Sequence, residues 1–93
     1  MKVSLDQSVN IDIRTLTAAE RRRVSSWLGH LANWENDQHV RTMSKPSGYQ
    51  NVFVLTASDD LDIAFSLDSD KKEITVLDLA RPSRFKSTVP TSE

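Results

Sequence analysis

Alternating apolar and polar positions dominate the second half of the chain. Three stretches there have this alternation or a dense β-branched and aromatic composition, and turn-forming residues separate them. The predicted strands are 51–56, 61–67 and 73–80, joined by turns at 57–60 and 68–72. In the middle strand the apolar side chains share one face, which specifies the register well. These side chains are Leu61, Ile63, Phe65 and Leu67. Connections this short predict an antiparallel meander.

A helix is predicted in the first half of the chain by a capping box. Thr17 and Glu20 have the required spacing, since each side chain can accept a hydrogen bond from the backbone amide of the other residue. An apolar stripe follows at helical spacing, formed by Val24, Trp27, Leu28 and Leu31. We expect the helix to begin at Thr17, to end between Gly29 and Asn33, and to cover the inner surface of the sheet with its Trp27 side.

The segments around this helix complete an α+β pattern. Residues 2–5 alternate as a short strand does. Residues 6–14 are apolar at every second position from Val9 to Ile13, which fits either an extended segment or a short irregular helix. A second short helix is plausible over 37–42, and the proline and glycine that follow it favour a turn.

Length and composition describe one ordinary soluble domain. The chain has 93 residues, of which 38% are hydrophobic and 27% are charged, enough for a single modest core. It contains no cysteine, which excludes disulfides and thiolate metal sites. Neither a signal peptide nor an apolar run long enough to span a bilayer is visible, so we expect no membrane partner and a cytoplasmic location.

The charge balance argues against nucleic acid as the default partner. The net charge is -1, whereas domains that grip RNA or DNA usually have a positive excess. The acidic residues concentrate in the meander, where they face only Lys71 and Lys72, and they are Asp59, Asp60, Asp62, Asp68, Asp70, Glu73 and Asp78. This cluster fits a solvated sheet face, and it also fits a surface that holds a basic protein.

The order of elements resembles the RelE/ParE superfamily of toxins from bacterial toxin–antitoxin pairs. The matching segments are the helix LTAAERRRV at 16–24, the block GYQNVFVL at 48–55, and the strands DIAFSLD at 62–68 and ITVLDLAR at 74–81. The resemblance implies an α+β fold in which an N-terminal strand and one or two helices pack on a curved antiparallel sheet of about four strands. We therefore expect a single RelE-like domain over 1–85. The chain loses its periodicity from Pro82 onward, so residues 86–93 are predicted to be a disordered or frayed tail.

The resemblance also implies an activity, either ribosome-dependent mRNA cleavage or inhibition of DNA gyrase. RelE-like ribonucleases use basic residues on the sheet, but the aligned positions here are Val52, Val54 and Asp62. An aspartate there repels RNA where an arginine would stabilise it. Whether the chain is an endoribonuclease is therefore left open, and the absence of a long helical hairpin makes gyrase inhibition the least favoured activity.

Candidate site residues follow from what remains of the pattern. Arg81 can clamp a phosphate, or it can pair at the surface with Asp78 or Glu73. The catalytic candidates are Arg81, Arg84 and His39, and the RNA-binding candidates are Arg41, Lys45 and Tyr49. His39 would act as a general base if the short second helix folds over the sheet. Exposed polar residues without a catalytic role are the competing interpretation.

The resemblance implies a protein partner as well. We expect a cognate antitoxin to bind and to form a hetero-oligomer, with Arg21, Arg22 and Trp34 as candidate contacts; the ribosome and mRNA are further possible partners. The competing hypothesis is a catalytically inert RelE-fold module that binds protein. No cofactor and no metal are predicted, because His30 and His39 lack a third ligand at metal spacing.

Overall fold

The elements of the chain follow the predicted order, with helices between the first strand and the meander. A computed structural model describes residues 1–83. The elements are β1 (Lys2–Leu5), α1 (Gln7–Arg14), α2 (Ala18–Ala32), α3 (Gln38–Met43), β2 (Lys45–Pro46), β3 (Val52–Ser58), β4 (Leu61–Asp68) and β5 (Glu73–Ala80). Arg84 and the predicted tail 86–93 lie outside the described residues, and the extent of the domain stays a prediction.

The strands form one mixed sheet, which differs in two respects from the predicted antiparallel sheet of about four strands. The order is β1-β5-β4-β3-β2, and the sheet has five strands within the described residues. β2 to β5 pair in antiparallel fashion, but β1 is parallel to β5. Parallel neighbours need a long crossover, and everything between β1 and β5 supplies it. The added strand β2 is only two residues long, and a pair that short has no periodic pattern to detect.

The capping box forms as predicted and starts α2. The Thr17 amide donates to Glu20 Oε1 at 3.0 Å, and the Glu20 amide donates to Thr17 Oγ1 at 3.1 Å. α2 ends at Ala32, inside the predicted interval. The predicted short helix is present as α3, with the Asp37 carboxylate as its N-cap. Because each cap satisfies backbone amides that the helix itself leaves unpaired, these starts are defined by local sequence.

The undecided segment after β1 is a helix. Asp6 caps α1 by accepting hydrogen bonds from the amide and hydroxyl of Ser8, and these bonds lower the pKa of the Asp6 carboxyl. In a helix Val9 and Ile13 share a face while Ile11 points elsewhere. Val9 is fully buried and Ile11 is 60% exposed, so the alternating pattern conceals a helical stripe.

The core lies between the helices and one face of the sheet, which we call the inner face. Leu61, Ile63 and Phe65 are buried there and Leu67 is partly buried against them, as predicted. The helices contribute Val9, Leu16, Val24, Leu31 and Val40. Trp34 closes one end of this core by packing against Phe53 and Phe65, with ring centroids 6.1 and 5.8 Å away. Val24 and Leu31 of α2 are buried in this core and Trp27 packs against it, so the Trp27 side of α2 covers the sheet as predicted.

The opposite face of the sheet, which we call the outer face, has no helix over it within residues 1–83. The pairing register aligns its side chains in rows across the strands. One row contains Lys45, Val54, Ala64 and Asp78, and the next contains Val52, Ser66, Thr75 and Ser4. Six of these eight residues are half-buried, and Lys45 and Asp78 are exposed. No helix of the described residues is long and apolar enough to cross a membrane.

Candidate functional site

The three positions at which the resemblance led us to expect sheet cations all lie on the outer face. Val52 and Val54 are opposite Ser66 and Ala64, and Asp62 is opposite Thr56. The middle of the face is therefore made of small apolar and hydroxyl side chains. Lys45, opposite Val54, brings one cation to the β2 edge of the face. A surface with this composition has little to attract phosphate and much that can pack against a polypeptide.

Arg81 is bound to the helical layer. Its guanidinium donates to both carboxylate oxygens of Glu20, with distances of 2.8 and 2.9 Å. The two side chains are 24% and 19% exposed. The predicted surface pairing with Asp78 or Glu73 is wrong, because Arg81 follows the last residue of β5 and reaches the start of α2 instead. This bidentate pair joins the end of the sheet to the capping box.

The pair changes the acidity of Glu20. The hydrogen bonds from Arg81, helped by the Thr17 amide, lower the pKa of the Glu20 carboxyl from 4.5 to about 2. The same contact raises the pKa of Arg81. Glu20 is thus ionised across the physiological range and neutralises the arginine proposed to clamp phosphate. Any phosphate bound by Arg81 would have to compete with this carboxylate.

The chain beyond β5 is held by the turn between β3 and β4. The amide and hydroxyl of Ser83 donate to the Asp60 carboxylate at 2.9 and 2.5 Å. Arg81 also donates to the Asp60 carbonyl oxygen at 3.5 Å. These contacts orient the chain at Ser83, the last residue that the structure describes. The catalytic candidate Arg84 follows directly and stays a prediction.

His39 belongs to a cluster on the helical layer. Its ring stacks on Trp27, with centroids 5.8 Å apart and planes 22° apart, and it meets the ring of His30 edge-on. His30 Nδ1 is hydrogen-bonded to Asp37 Oδ2 at 2.5 Å, and this bond is the main reason why the pKa of Asp37 is lowered. The contacts of Arg81 are with Glu20 and Asp60, so the structure puts His39 and Arg81 in separate clusters. A general base next to Arg81 has no support from these contacts.

The RNA-binding candidates lie in and after α3 but are not gathered into one site. Arg41 donates to the carbonyl oxygens of Trp34 and Glu35, at 2.7 and 2.8 Å, and thereby supports the link between α2 and α3. Lys45 is on the outer face. Tyr49 is 79% exposed in the turn before β3. Only Lys45 is placed on the face where the family's cations would stand, and the roles of all three stay predictions.

The partner-binding candidates are split in the same way. Arg21 and Arg22 are exposed on α2, whereas Trp34 is half-buried in the aromatic end of the core. Arg22 borders an open groove of about 580 Å³ on the helical layer, next to Trp27 and His39. Within residues 1–83 no cluster of three or more histidine, aspartate or glutamate side chains could hold a metal ion.

Sequence reasoning missed two side-chain contacts, the Arg81–Glu20 ion pair and the His30–Asp37 hydrogen bond. Glu20 was recognised as a capping residue, but its partner Arg81 is 61 positions away and no local pattern connects them. His30 and Asp37 are 7 positions apart across the end of α2. In a continuous helix residues at this spacing share a face but are about 10 Å apart, so the contact forms only because the chain turns between α2 and α3. The one local signal for the His30 contact was an aspartate, Asp37, at the predicted start of α3.

Comparison with known proteins relates the fold to solved toxins. No protein-family model matches the chain, and no curated protein matches it in sequence. Several solved structures are similar in fold, among them the following three. An E. coli RelE mutant bound to an antitoxin RelB peptide has a TM-score of 0.72 at 11% identity, covering 99% of this chain and 97% of the toxin. The archaeal RelE–RelB complex from Pyrococcus horikoshii has a TM-score of 0.69 at 20% identity, covering 89% and 96%.

The third similar structure is the isolated E. coli RelE toxin. It has a TM-score of 0.68 at 11% identity, covering 92% of this chain and 93% of the toxin. In all three comparisons nearly the whole of both chains is matched, so the likeness includes the helical layer and the sheet together. Identity this low carries the fold and not the chemistry of the site. The α+β architecture, with its N-terminal strand, helices and mixed sheet, is a RelE-like toxin fold.

Proposed function

We propose that this chain is the toxin-like member of a toxin–antitoxin pair and that an antitoxin polypeptide binds it. The observation that carries the proposal is a RelE-like fold whose largely uncharged outer face has no helix over it within residues 1–83. Two of the similar structures are complexes of RelE with RelB antitoxin. Small apolar side chains such as Val52, Val54 and Ala64 suit contact with a polypeptide better than contact with a phosphate backbone.

Binding to an antitoxin can be tested with the product of the neighbouring reading frame. We expect the two proteins to co-purify in a fixed ratio when they are expressed together. Expression of the chain alone should slow growth, and co-expression should restore it. Val54→Glu, which puts a charge in the middle of the outer face, should weaken the complex, while Asp70→Ser in an exposed turn serves as the control. Normal growth together with a monodisperse solo protein would contradict the proposal.

Translation inhibition by mRNA cleavage is the second candidate function. Lys45 favours mRNA cleavage, because it brings a cation to the outer face directly opposite Val54. Two observations oppose mRNA cleavage. Arg81 is ion-paired with Glu20, and Asp62 adds a negative charge to the outer face. Cleavage needs a base for the 2′-hydroxyl and cations around the phosphorane, and the described residues of this face supply only part of that set. Weak cleavage is therefore the most this face supports.

A ribosome-containing translation reaction separates the two candidates. We expect the wild-type chain to cut little mRNA. The triple variant Val52→Lys, Val54→Lys, Asp62→Arg places cations at the three aligned positions, and it should cut more. Strong cleavage by the wild type that disappears in Lys45→Gln would make the chain an active endoribonuclease. Unchanged cleavage in Arg81→Ala would show that Arg81 has only its structural role with Glu20.

A further inference from the structure

The helical layer has a groove of its own, on the opposite side of the molecule from the outer face. The groove has a volume of about 580 Å³ and is open to solvent. The side chains around it that carry chemistry are Arg22, Arg23, Ser26, Trp27, His30 and His39. The antitoxin proposal places its contact on the outer face, so the groove as a whole has no assigned role, although Arg22 at its border was a candidate antitoxin contact. Its composition is also unlike the rest of this acidic chain.

The floor of the groove is a short aromatic stack. Trp27 is half-buried and anchored in the core, and the exposed ring of His39 lies nearly parallel on it. His30 approaches Trp27 from the side, with centroids 5.2 Å apart. A planar base that stacks on the exposed His39 would extend this arrangement. Stacking on an aromatic side chain tolerates any base, since every base presents a π-face.

The wall of the groove is cationic. Arg22 and Arg23 border it, and the Ser26 hydroxyl adds a donor one turn further along α2. Asp37 is the nearby carboxylate, and its hydrogen bonds go to His30 and to the Val40 amide. Arg23 also borders a second hollow that contains Asp59 and Asp60, whereas Arg22 borders the groove and not that hollow. Arg22 is therefore the cation best placed to serve a ligand here.

We propose that this groove binds one nucleotide unit of single-stranded nucleic acid, with the base on the Trp27–His39 stack and the phosphate at Arg22. A flat aromatic floor next to an arginine fork matches a base and its phosphate. An acidic peptide would satisfy the arginine but leave the aromatic floor unused. The same chemistry occurs in a free mononucleotide, and the experiment below separates that source from a strand.

Binding is measured by the fluorescence anisotropy of a labelled oligothymidylate. This probe has no 2′-hydroxyl, so RNA cleavage cannot contribute to the signal, and no antitoxin is needed. We expect Arg22→Gln to weaken binding about tenfold, the loss typical of one charge-assisted contact. His39→Ala should weaken it by a similar factor through lost stacking. Arg14→Gln, at an exposed arginine away from the groove, should have no effect and is the matched control.

Two further measurements identify the ligand chemistry. The dependence of affinity on salt should become shallower in Arg22→Gln, by about 0.7 in the logarithmic slope for one lost phosphate contact. Adenosine monophosphate should compete better than inorganic phosphate or adenosine alone. If the mononucleotide equals the oligonucleotide in affinity, the source is a free nucleotide; if the oligonucleotide is much tighter, it is a strand.

Several outcomes would overturn the proposal. One is the absence of binding at millimolar probe with the folded wild-type protein. Another is an equal loss in Arg14→Gln and Arg22→Gln, which would indicate diffuse charge attraction. Displacement of the oligothymidylate by hexaglutamate as effectively as by adenosine monophosphate would assign the groove to acidic peptides instead. Circular dichroism of each variant confirms that an affinity loss is not a folding defect.

Discussion

The inner and outer faces of the sheet show which part of this chain maintains the fold and which part is free to change. Residues on the inner face, such as Ile63 and Phe65, are fully buried against the helices. Their neighbours Ala64 and Ser66 on the outer face are only half-buried. A RelE-like fold is shared with structures of 11–20% identity, and close packing constrains the inner face more than the outer face. The chemistry of the other face is free to diverge.

Truncation of an inner-face side chain should have the largest effect. Phe65 is fully buried and contacts both Phe53 and Trp34. Phe65→Ala should lower the free energy of unfolding by about 3–5 kcal/mol, because it removes apolar contacts and leaves a cavity. Ser66→Ala, the next residue on the outer face, should change it by less than about 0.5 kcal/mol. Urea denaturation measures both, and equal losses would refute the distinction between the faces.

The next largest loss of stability is expected at the Glu20–Arg81 ion pair, which joins the end of the sheet to the helical layer. Glu20→Gln removes the charge that Arg81 needs and weakens the capping box, so it should destabilise the protein at neutral pH. Because the pKa of Glu20 is lowered in the folded state, its contribution is complete above about pH 4.5. It is lost as the pH falls towards about 2.

This pH dependence is tested by comparing the wild type and Glu20→Gln in urea at several pH values. The difference in stability should be constant near neutral pH and should narrow as the solution is acidified below pH 4.5. Glu35→Gln, at an exposed carboxylate, is the control and should show no such difference. A gap between wild type and variant that stays constant at acid pH would show that the Arg81 pair adds no stability.

A smaller loss is expected from the other half of the same capping box. Thr17→Ala removes the hydroxyl that accepts from the Glu20 amide but leaves the Arg81 pair in place. Loss of a threonine N-cap typically costs about 1 kcal/mol. Thr17→Ser, which keeps the hydroxyl, should recover most of that loss. If Thr17→Ala proves more damaging than Glu20→Gln at neutral pH, the capping bond outweighs the ion pair.

The two faces also explain how far the sequence could predict the structure. The inner-face pattern of Leu61, Ile63 and Phe65 and the Thr17–Glu20 spacing predicted the meander and α2, since both are signals within a few residues. The parallel pairing of β1 with β5 depends on where the helices lead the chain. The contact of Arg81 with Glu20 depends on the finished fold. The candidate site was therefore predicted less well than the architecture.

The smallest effect on stability is expected on the outer face itself, and two adjacent residues of β3 provide the test. Val54 is half-buried on the outer face, whereas Leu55 is fully buried on the inner face. Val54→Lys should change the free energy of unfolding by no more than about 0.5 kcal/mol, because the ammonium group can extend into water from a face without a helix.

The same substitution at Leu55 should be far more damaging. Leu55→Lys would place a charge in the core without a partner, and we expect it to prevent stable folding. Thermal unfolding followed by circular dichroism distinguishes the two variants. A large loss in Val54→Lys would mean that the outer face is covered in the folded chain, and the proposed antitoxin contact would then have to lie elsewhere. A stable Val54→Lys would instead show that the fold tolerates a cation at this position of the outer face.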